Sequence, residues 1–239
     1  MSRASSSRRP ARRRQHGLSL VELLVALTIG LFLIGGVLTL VATLKRTYTT
    51  QMQLTQLQDS ERLAMTMLTD VIQSAGYYTN PQINTASVLP GTPPFAVAGQ
   101  ALTGTSQPAG PDTISVQFAT APGDGIMNCQ GGSNVASPAP FVYVNIFSVS
   151  PQNQLQCQLN GGAQVPLVNG LQNMLIWYGV NTSGGPSCSD SYLRASEVTA
   201  ANNWTNVCSV MVQLTFTNPL NAAAPVQFSR VIVLQNLAD

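Results

Sequence analysis

Charge is scarce in this chain: Asp, Glu, Lys and Arg together make up 8% of its 239 residues. Histidine is scarcer still. The single one, His16, precedes the long apolar run, so the rest of the chain has no imidazole with which to assemble a Ser-His-Asp or Cys-His pair. The carboxylates Asp112, Asp124, Asp190, Glu197 and Asp239 show no paired spacing of the kind acid–base chemistry uses. The four cysteines contain no C-x-x-C pair, which excludes the common zinc frameworks. The expectation is therefore a protein that is not an enzyme, with no catalytic residues, no metal site and no cofactor. Proline is missing between Leu18 and Gly76, and no internal repeat is visible.

The formal charge of +2 conceals an asymmetry. Residues 1–17 hold six of the 11 basic residues (Arg3, Arg8, Arg9, Arg12, Arg13, Arg14) and none of the nine acidic ones, leaving −4 for the remainder. A mildly acidic remainder offers no basic patch, so nucleic acid is not an expected partner of this subunit.

What is present begins at the end of that basic leader. Leu18 opens an apolar run to Leu44 of Leu, Val, Ile, Ala, Gly, Thr and Phe with one carboxylate, Glu22. The run exceeds the ~20 residues a helix needs to cross a bilayer. Six arginines precede it and only Lys45 and Arg46 follow, which by the positive-inside rule keeps the N-terminus cytoplasmic and sends the remainder outward. A secretory signal peptide would have an apolar core of about 7–15 residues followed by an A-x-A-like site. Neither feature is found here.

Glu22 is the anomaly, because a carboxylate inside an apolar span costs roughly 2.5–3.5 kcal/mol at mid-membrane and less near an end. One reading is an interfacial glutamate in the first helical turn, where the helix dipole favours negative charge. The other comes from the string Gly17-Leu18-Ser19-Leu20-Val21-Glu22-Leu23-Leu24, which closely resembles the class III signal of type IV pilins and pseudopilins. The resemblance implies cleavage by prepilin peptidase between Gly17 and Leu18, methylation of the new amine at Leu18, and an assembly role for Glu22. One helical turn separates that amine from the Glu22 carboxylate, so the two groups on neighbouring subunits can pair and lower each other's cost of burial.

From Leu18 to about Gly76 the residues are mostly helix formers, and one helix of that length would extend roughly 85–90 Å. Residues 18–44 form the transmembrane and assembly part. Residues 45–76 form an amphipathic part, with Leu54, Leu57, Ala64, Leu68, Val71 and Ala75 on the face that should pack against the head. Residues 77–239 read as an extracytoplasmic, β-rich head. Residues 80–111, rich in Pro, Gly, Thr and Ala, read as a long connection with short extended pieces. Strands are expected at Asp112 to Ala119, Phe141 to Val149, Gln154 to Leu159, Leu171 to Val180, Val207 to Thr217 and Phe228 to Asn236, the first of these in a meander. Composition makes Trp177, Tyr178 and Trp204 core residues rather than an adhesive surface.

Tyr178-Gly179-Val180, a glycine-rich loop, Tyr192-Leu193-Arg194-Ala195, Val198, then Trp204 and Val207 leading into a strand resemble PilW-type minor pilins of the type IV pilus. That resemblance implies an α+β, type IV pilin-like fold, a long N-terminal helix packed on an antiparallel β-sheet head. It implies a minor pilin that primes or caps a retractable pilus used for adhesion, twitching or DNA uptake. The related alternative is a J-type minor pseudopilin of a type II secretion system. Partners implied are the inner membrane, prepilin peptidase, other minor and major pilins, and the inner-membrane assembly platform. The implied location is the inner membrane with a periplasmic head, then the pilus at the cell surface.

Cys129, Cys157, Cys188 and Cys208 all follow the span, and an even count in an oxidising compartment implies two disulfides. Three pairings exist; Cys129 with Cys157 and Cys188 with Cys208 are favoured because each closes a local loop. Asn181, Ser183, Ser189 and Asp190 bring oxygen side chains to one loop, which turn chemistry explains as well as calcium does.

Overall fold

The computed structural model describes residues 17, 19–80, 85–184 and 188–235. It divides into two compact units, Met1–Gln51 and Met52–Asp239.

Helix α1 spans Leu20–Gln73. In the first unit its side chains are exposed almost throughout: Leu20, Leu24, Phe32, Leu38 and Leu44 all face outward. This segment is long and apolar enough to cross a membrane, with a mean hydropathy of 2.6 over its best window and none of that window buried. In the second unit the pattern changes to the i, i+3, i+4, i+7 spacing of a helix with one buried stripe. Ala64, Met65, Leu68, Val71 and Ile72 are buried, joined by Ala75 just beyond the helix. Leu57 packs at the margin of the core, whereas Leu54, expected on the same stripe, is 39% exposed. The helix stops at Gln73 because a turn follows, ending on Gly76 with φ of 74°, a left-handed conformation that glycine adopts without steric cost.

Two antiparallel sheets complete the second unit. After a single turn of helix, α2 (Thr85–Val88), five strands follow in chain order: β1 (Leu102–Thr105), β2 (Thr113–Thr120), β3 (Phe141–Val149), β4 (Gln154–Leu159) and β5 (Gln164–Asn169). They form one sheet, ordered β1-β2-β3-β4-β5, a plain meander. The second sheet contains β6 (Leu171–Val180), β7 (Ser191–Leu193), β8 (Val207–Phe216) and β9 (Val226–Val233), ordered β7-β6-β8-β9. Between β7 and β8 lie α3 (Ala195–Ala200) and a 3-10 turn at Trp204–Asn206. The expected strands from Phe141 to Val149, Gln154 to Leu159 and Leu171 to Val180 form as read. The expected strand at the C-terminal end is displaced, running from Val226 to Val233; Asn236 lies outside the described residues.

One apolar core joins the buried stripe of α1 to both sheets, through Ile114, Val116 and Phe118 of β2, Phe147 of β3, Ile176 and Tyr178 of β6, and Val210, Val212 and Leu214 of β8. Tyr178 and Trp204 are buried and meet edge to face at 4.8 Å. The head therefore has one interior shared by two sheets.

Cys129 is bonded to Cys157 and Cys188 to Cys208, with sequence separations of 28 and 20. Both are local links. The first ties the 121–140 loop to β4, and the second ties the 181–190 loop to the start of β8. On the loop-entropy model each contributes about 3 kcal/mol.

The helix stripe allows a direct test. Leu68→Ala, at a site with no exposure, is expected to lower the unfolding free energy of the head by about 3 kcal/mol, as buried Leu→Ala changes do. Leu38→Ala, at a site 64% exposed, should leave it unchanged. Urea unfolding followed by tryptophan fluorescence reads both.

Candidate functional site

The N-terminal end of α1 is built by its own sequence. Ser19 caps the helix: its Oγ accepts the Glu22 N–H at 3.3 Å, and its carbonyl accepts the Leu23 N–H at 3.2 Å. Glu22 thus sits in the first turn, exposed, and its carboxylate has no partner among the described residues. Gly17 is described and exposed, while Leu18 lies outside the described residues. The threonines of the apolar segment return their hydroxyls to the helix itself, Thr28 to the Val25 carbonyl, Thr39 to Gly35, Thr43 to Thr39 and Thr47 to Thr43, at 2.8 to 3.0 Å. Their O–H groups need no outside partner, so Glu22 is the one strongly polar side chain on this stretch.

The head's carboxylates are occupied in a different way. Asp112, just ahead of β2, is 1% exposed. Its Oδ2 accepts the Ile176 N–H of β6 at 2.7 Å, and its Oδ1 accepts the Gln107 N–H at 3.2 Å and Arg194 Nη2 at 2.7 Å. Its own N–H donates to the Met174 carbonyl at 2.8 Å. Arg194, between β7 and α3, also lies over the Trp177 ring at 5.1 Å, so one guanidinium covers the outer face of β6 and neutralises the buried acid beneath it. Burial raises the Asp112 carboxyl above its ordinary value of 3.8, against the opposing pull of the Ile176 and Gln107 N–H groups and of Arg194.

Glu197 folds back over the start of α3 and accepts the Arg194 N–H at 2.6 Å. Asp124 accepts the N–H groups of Ala121 and Ile126 at 2.8 and 3.1 Å, closing the turn before Cys129. Asp190 closes the 181–190 loop: Oδ1 accepts the Thr182 N–H and hydroxyl, each at 2.9 Å, and Oδ2 accepts the Ser183 N–H at 2.8 Å. Hydrogen bonds from Ser183 and Thr182 hold its carboxyl well below the ordinary carboxylate range. These donors occupy both oxygens, which is turn chemistry. No group of three metal-ligating side chains occurs among the described residues.

Sequence reasoning had passed over Asp112 and Arg194 as a pair. Their separation of 82 residues leaves no local signal. The only hint was Arg194 standing in the Tyr192-Leu193-Arg194-Ala195 segment, and Asp112 at the head of a strand. A cleft of about 420 Å³ opens beside them, lined by Ser106, Gln107, Asn173, Arg194 and Ser196. The Tyr178 hydroxyl, fully buried, has no hydrogen-bond partner among the described residues, and burial raises its pKa.

These two acids give opposite pH dependences. With its native pKa raised, Asp112 takes up its proton on folding, so its contribution to stability grows as pH falls from the raised value toward 3.8. With its native pKa lowered, Asp190 contributes stability that is present above the ordinary value of 3.8 and lost as pH falls through the native one. Wild type should therefore gain on Asp112→Asn, and begin to lose its advantage over Asp190→Asn only below pH 3.8, when denaturation midpoints are compared from pH 7 down to pH 3. At neutral pH Arg194→Ala, which leaves the Asp112 charge buried and unpaired, should cost about 3 kcal/mol.

Two family models match this chain. The type IV pilus-assembly protein W model matches residues 148–236, from the end of β3 through the second sheet. The prokaryotic N-terminal methylation motif matches residues 12–38, across the leader and the start of α1. A comparison with curated proteins returned no match. Among solved structures the chain is similar to the type IV-like pilin TTHA1219 from Thermus thermophilus, at 15% identity and a TM-score of 0.45, covering 77% of this chain and 97% of that one. With an N-methylation motif running into an unburied apolar helix, and the PilW match covering the second sheet, the chain is similar at both ends to type IV pilin-like proteins, and resembles a PilW-type minor pilin with a class III signal.

Proposed function

We propose that the protein is inserted in the inner membrane with residues 1–17 in the cytoplasm and the head, residues 77–239, in the periplasm, and that it joins other minor pilins to prime or cap a pilus. It acts as a structural subunit without catalysis of its own. Prepilin peptidase removes the leader between Gly17 and Leu18, and the Leu18 amine is methylated. The observation that supports this reading best is Glu22: a lone carboxylate in the first turn of a helix whose apolar first part is exposed, without a partner among the described residues. A cost of that kind is sustained when a neighbour supplies the counter-charge. The amine at Leu18 of an adjacent subunit is that counter-charge, and the pair sets the register of one subunit on the next. Major pilins and the inner-membrane assembly platform are then its further partners.

Two measurements test this. Intact mass of the membrane-extracted protein should correspond to a chain starting at Leu18 with one added methyl group; a leader retained in peptidase-positive cells would end the reading. Glu22→Ala should leave processing and head stability unchanged but lower the ratio of protein in sheared filaments to protein in membranes by more than tenfold. That fold-change corresponds to about 1.4 kcal/mol, less than half of the roughly 3–5 kcal/mol expected for a dry unpaired charge. An unchanged ratio would leave Glu22 an interfacial glutamate only.

A further inference from the structure

Of the four sheet edges in the head, three are blunted. Strand β1 has four residues, and beyond it the chain leaving α1 takes over its place: Gly76 donates to the Gln117 carbonyl at 3.1 Å and Ala119 donates to the Tyr77 carbonyl at 2.7 Å. Strand β5 carries Pro166, which has no N–H to offer. Strand β7 has three residues. Strand β9 has none of these protections: eight residues, Val-Gln-Phe-Ser-Arg-Val-Ile-Val, without proline or a carboxylate. Such an edge is a template for another strand.

Its register shows which groups are open. Leu234, just past β9, donates to the Cys208 carbonyl at 2.9 Å, and the ladder pairs Val233 with Ser209, Ile232 with Val210 and Arg230 with Val212. Hydrogen-bonded and non-hydrogen-bonded pairs alternate in an antiparallel ladder. Hence Phe228, Arg230 and Ile232 spend their backbone groups on β8, while Gln227, Ser229, Val231 and Val233 turn theirs to the free side. Val231 and Val233 are 50% and 56% exposed, so none of the described residues covers them.

Arg230 says what kind of strand belongs there. It is one of three basic residues after residue 51, against eight acidic ones, yet it pairs with no carboxylate among the described residues. Its guanidinium donates to Thr69 Oγ1 on α1 at 3.5 Å. Because β9 itself lacks a carboxylate, no register of self-pairing gives Arg230 a counter-charge, and the register that pairs Gln227 with Val233 sets Arg230 against Arg230. We infer that β9 is a docking edge for an extended segment on the head of a different subunit, one that adds as an antiparallel strand, places a carboxylate opposite Arg230 and sets apolar side chains beside Val231 and Val233. The inference rests on the minor-pilin reading for the identity of the partner as a subunit, and on the edge alone for its chemistry.

The experiment uses the full chain in detergent and a fluorescein-labelled ten-residue peptide of alternating Val and Thr with one central Glu, beside a twin in which Lys replaces Glu. Anisotropy should show the Glu peptide binding at least tenfold more tightly than the Lys peptide, with the gap closing as salt rises. Arg230→Glu should reverse the preference. Val231→Pro removes an outward N–H and spares the bonds to β8, so it should abolish binding at an unchanged melting temperature, whereas Val231→Thr should bind as wild type does. Should Val231→Pro fail to fold, the Arg230→Glu reversal decides. Equal affinity for the two peptides, binding that survives Val231→Pro, or self-association through β9 that saturates the edge would overturn the proposal. None of these readouts involves filament assembly, so their failure is separate from a failure of the Glu22 test.

Discussion

A buried carboxylate holds the head together. Asp112 sits at the junction of the β1–β2 connection, β6 and the entry to α3, and each of those segments donates to it through Gln107, Ile176 or Arg194. An ionised acid in that place is tolerated only because three donors replace the water it gave up. The arrangement dictates the rest of the neighbourhood. Arg194 must reach inward from the end of β7, so its stem crosses Trp177 and shields the outer face of β6. Glu197 then takes the Arg194 N–H, which sets where α3 begins.

The same economy recurs wherever the head has a charge. A chain with 8% charged residues has few to spare for the surface, and Asp124 and Asp190 each accept two loop backbone N–H groups. Both loops are also fastened by a disulfide, Cys129 to Cys157 and Cys188 to Cys208. Acid and sulfur bridge act on one problem: long connections with little apolar surface, which would otherwise have too few contacts to offset the entropy of ordering them.

Helix α1 meets two different requirements with one backbone. Its head-side residues bury a stripe of Ala64, Met65, Leu68, Val71 and Ile72 and expose the remainder. Its first part exposes Leu, Ile, Val and Phe all round and turns the hydroxyls of Thr28, Thr39 and Thr43 back on its own carbonyls. A surface of that kind is a liability in water and ordinary in lipid or against other apolar helices. Among the described residues, the apolar helix thus carries one carboxylate without a counter-charge, and the β9 edge one cation without one.

Local pattern decided a good deal. The basic-to-apolar boundary at Gly17, the lone Glu22 and the helical spacing of Ala64, Leu68 and Val71 are readable because each depends on residues a turn or less apart. The strands from Phe141 to Val149, Gln154 to Leu159 and Leu171 to Val180 were legible to the residue, since alternation and bounding turns are also local. Strands β1 and β5 were not, the first being four residues long and the second interrupted by Pro166, nor was α3, a helix of six residues. That the antiparallel head is built of two sheets was not legible either, because the neighbour of a strand is chosen by which faces share the core, and β7 joins β6 on the side away from β8. The Asp112–Arg194 pair and the open edge of β9 belong to the tertiary structure alone. A partner 82 residues away leaves no periodicity in a sequence, and an edge exists only once every other strand has found its place.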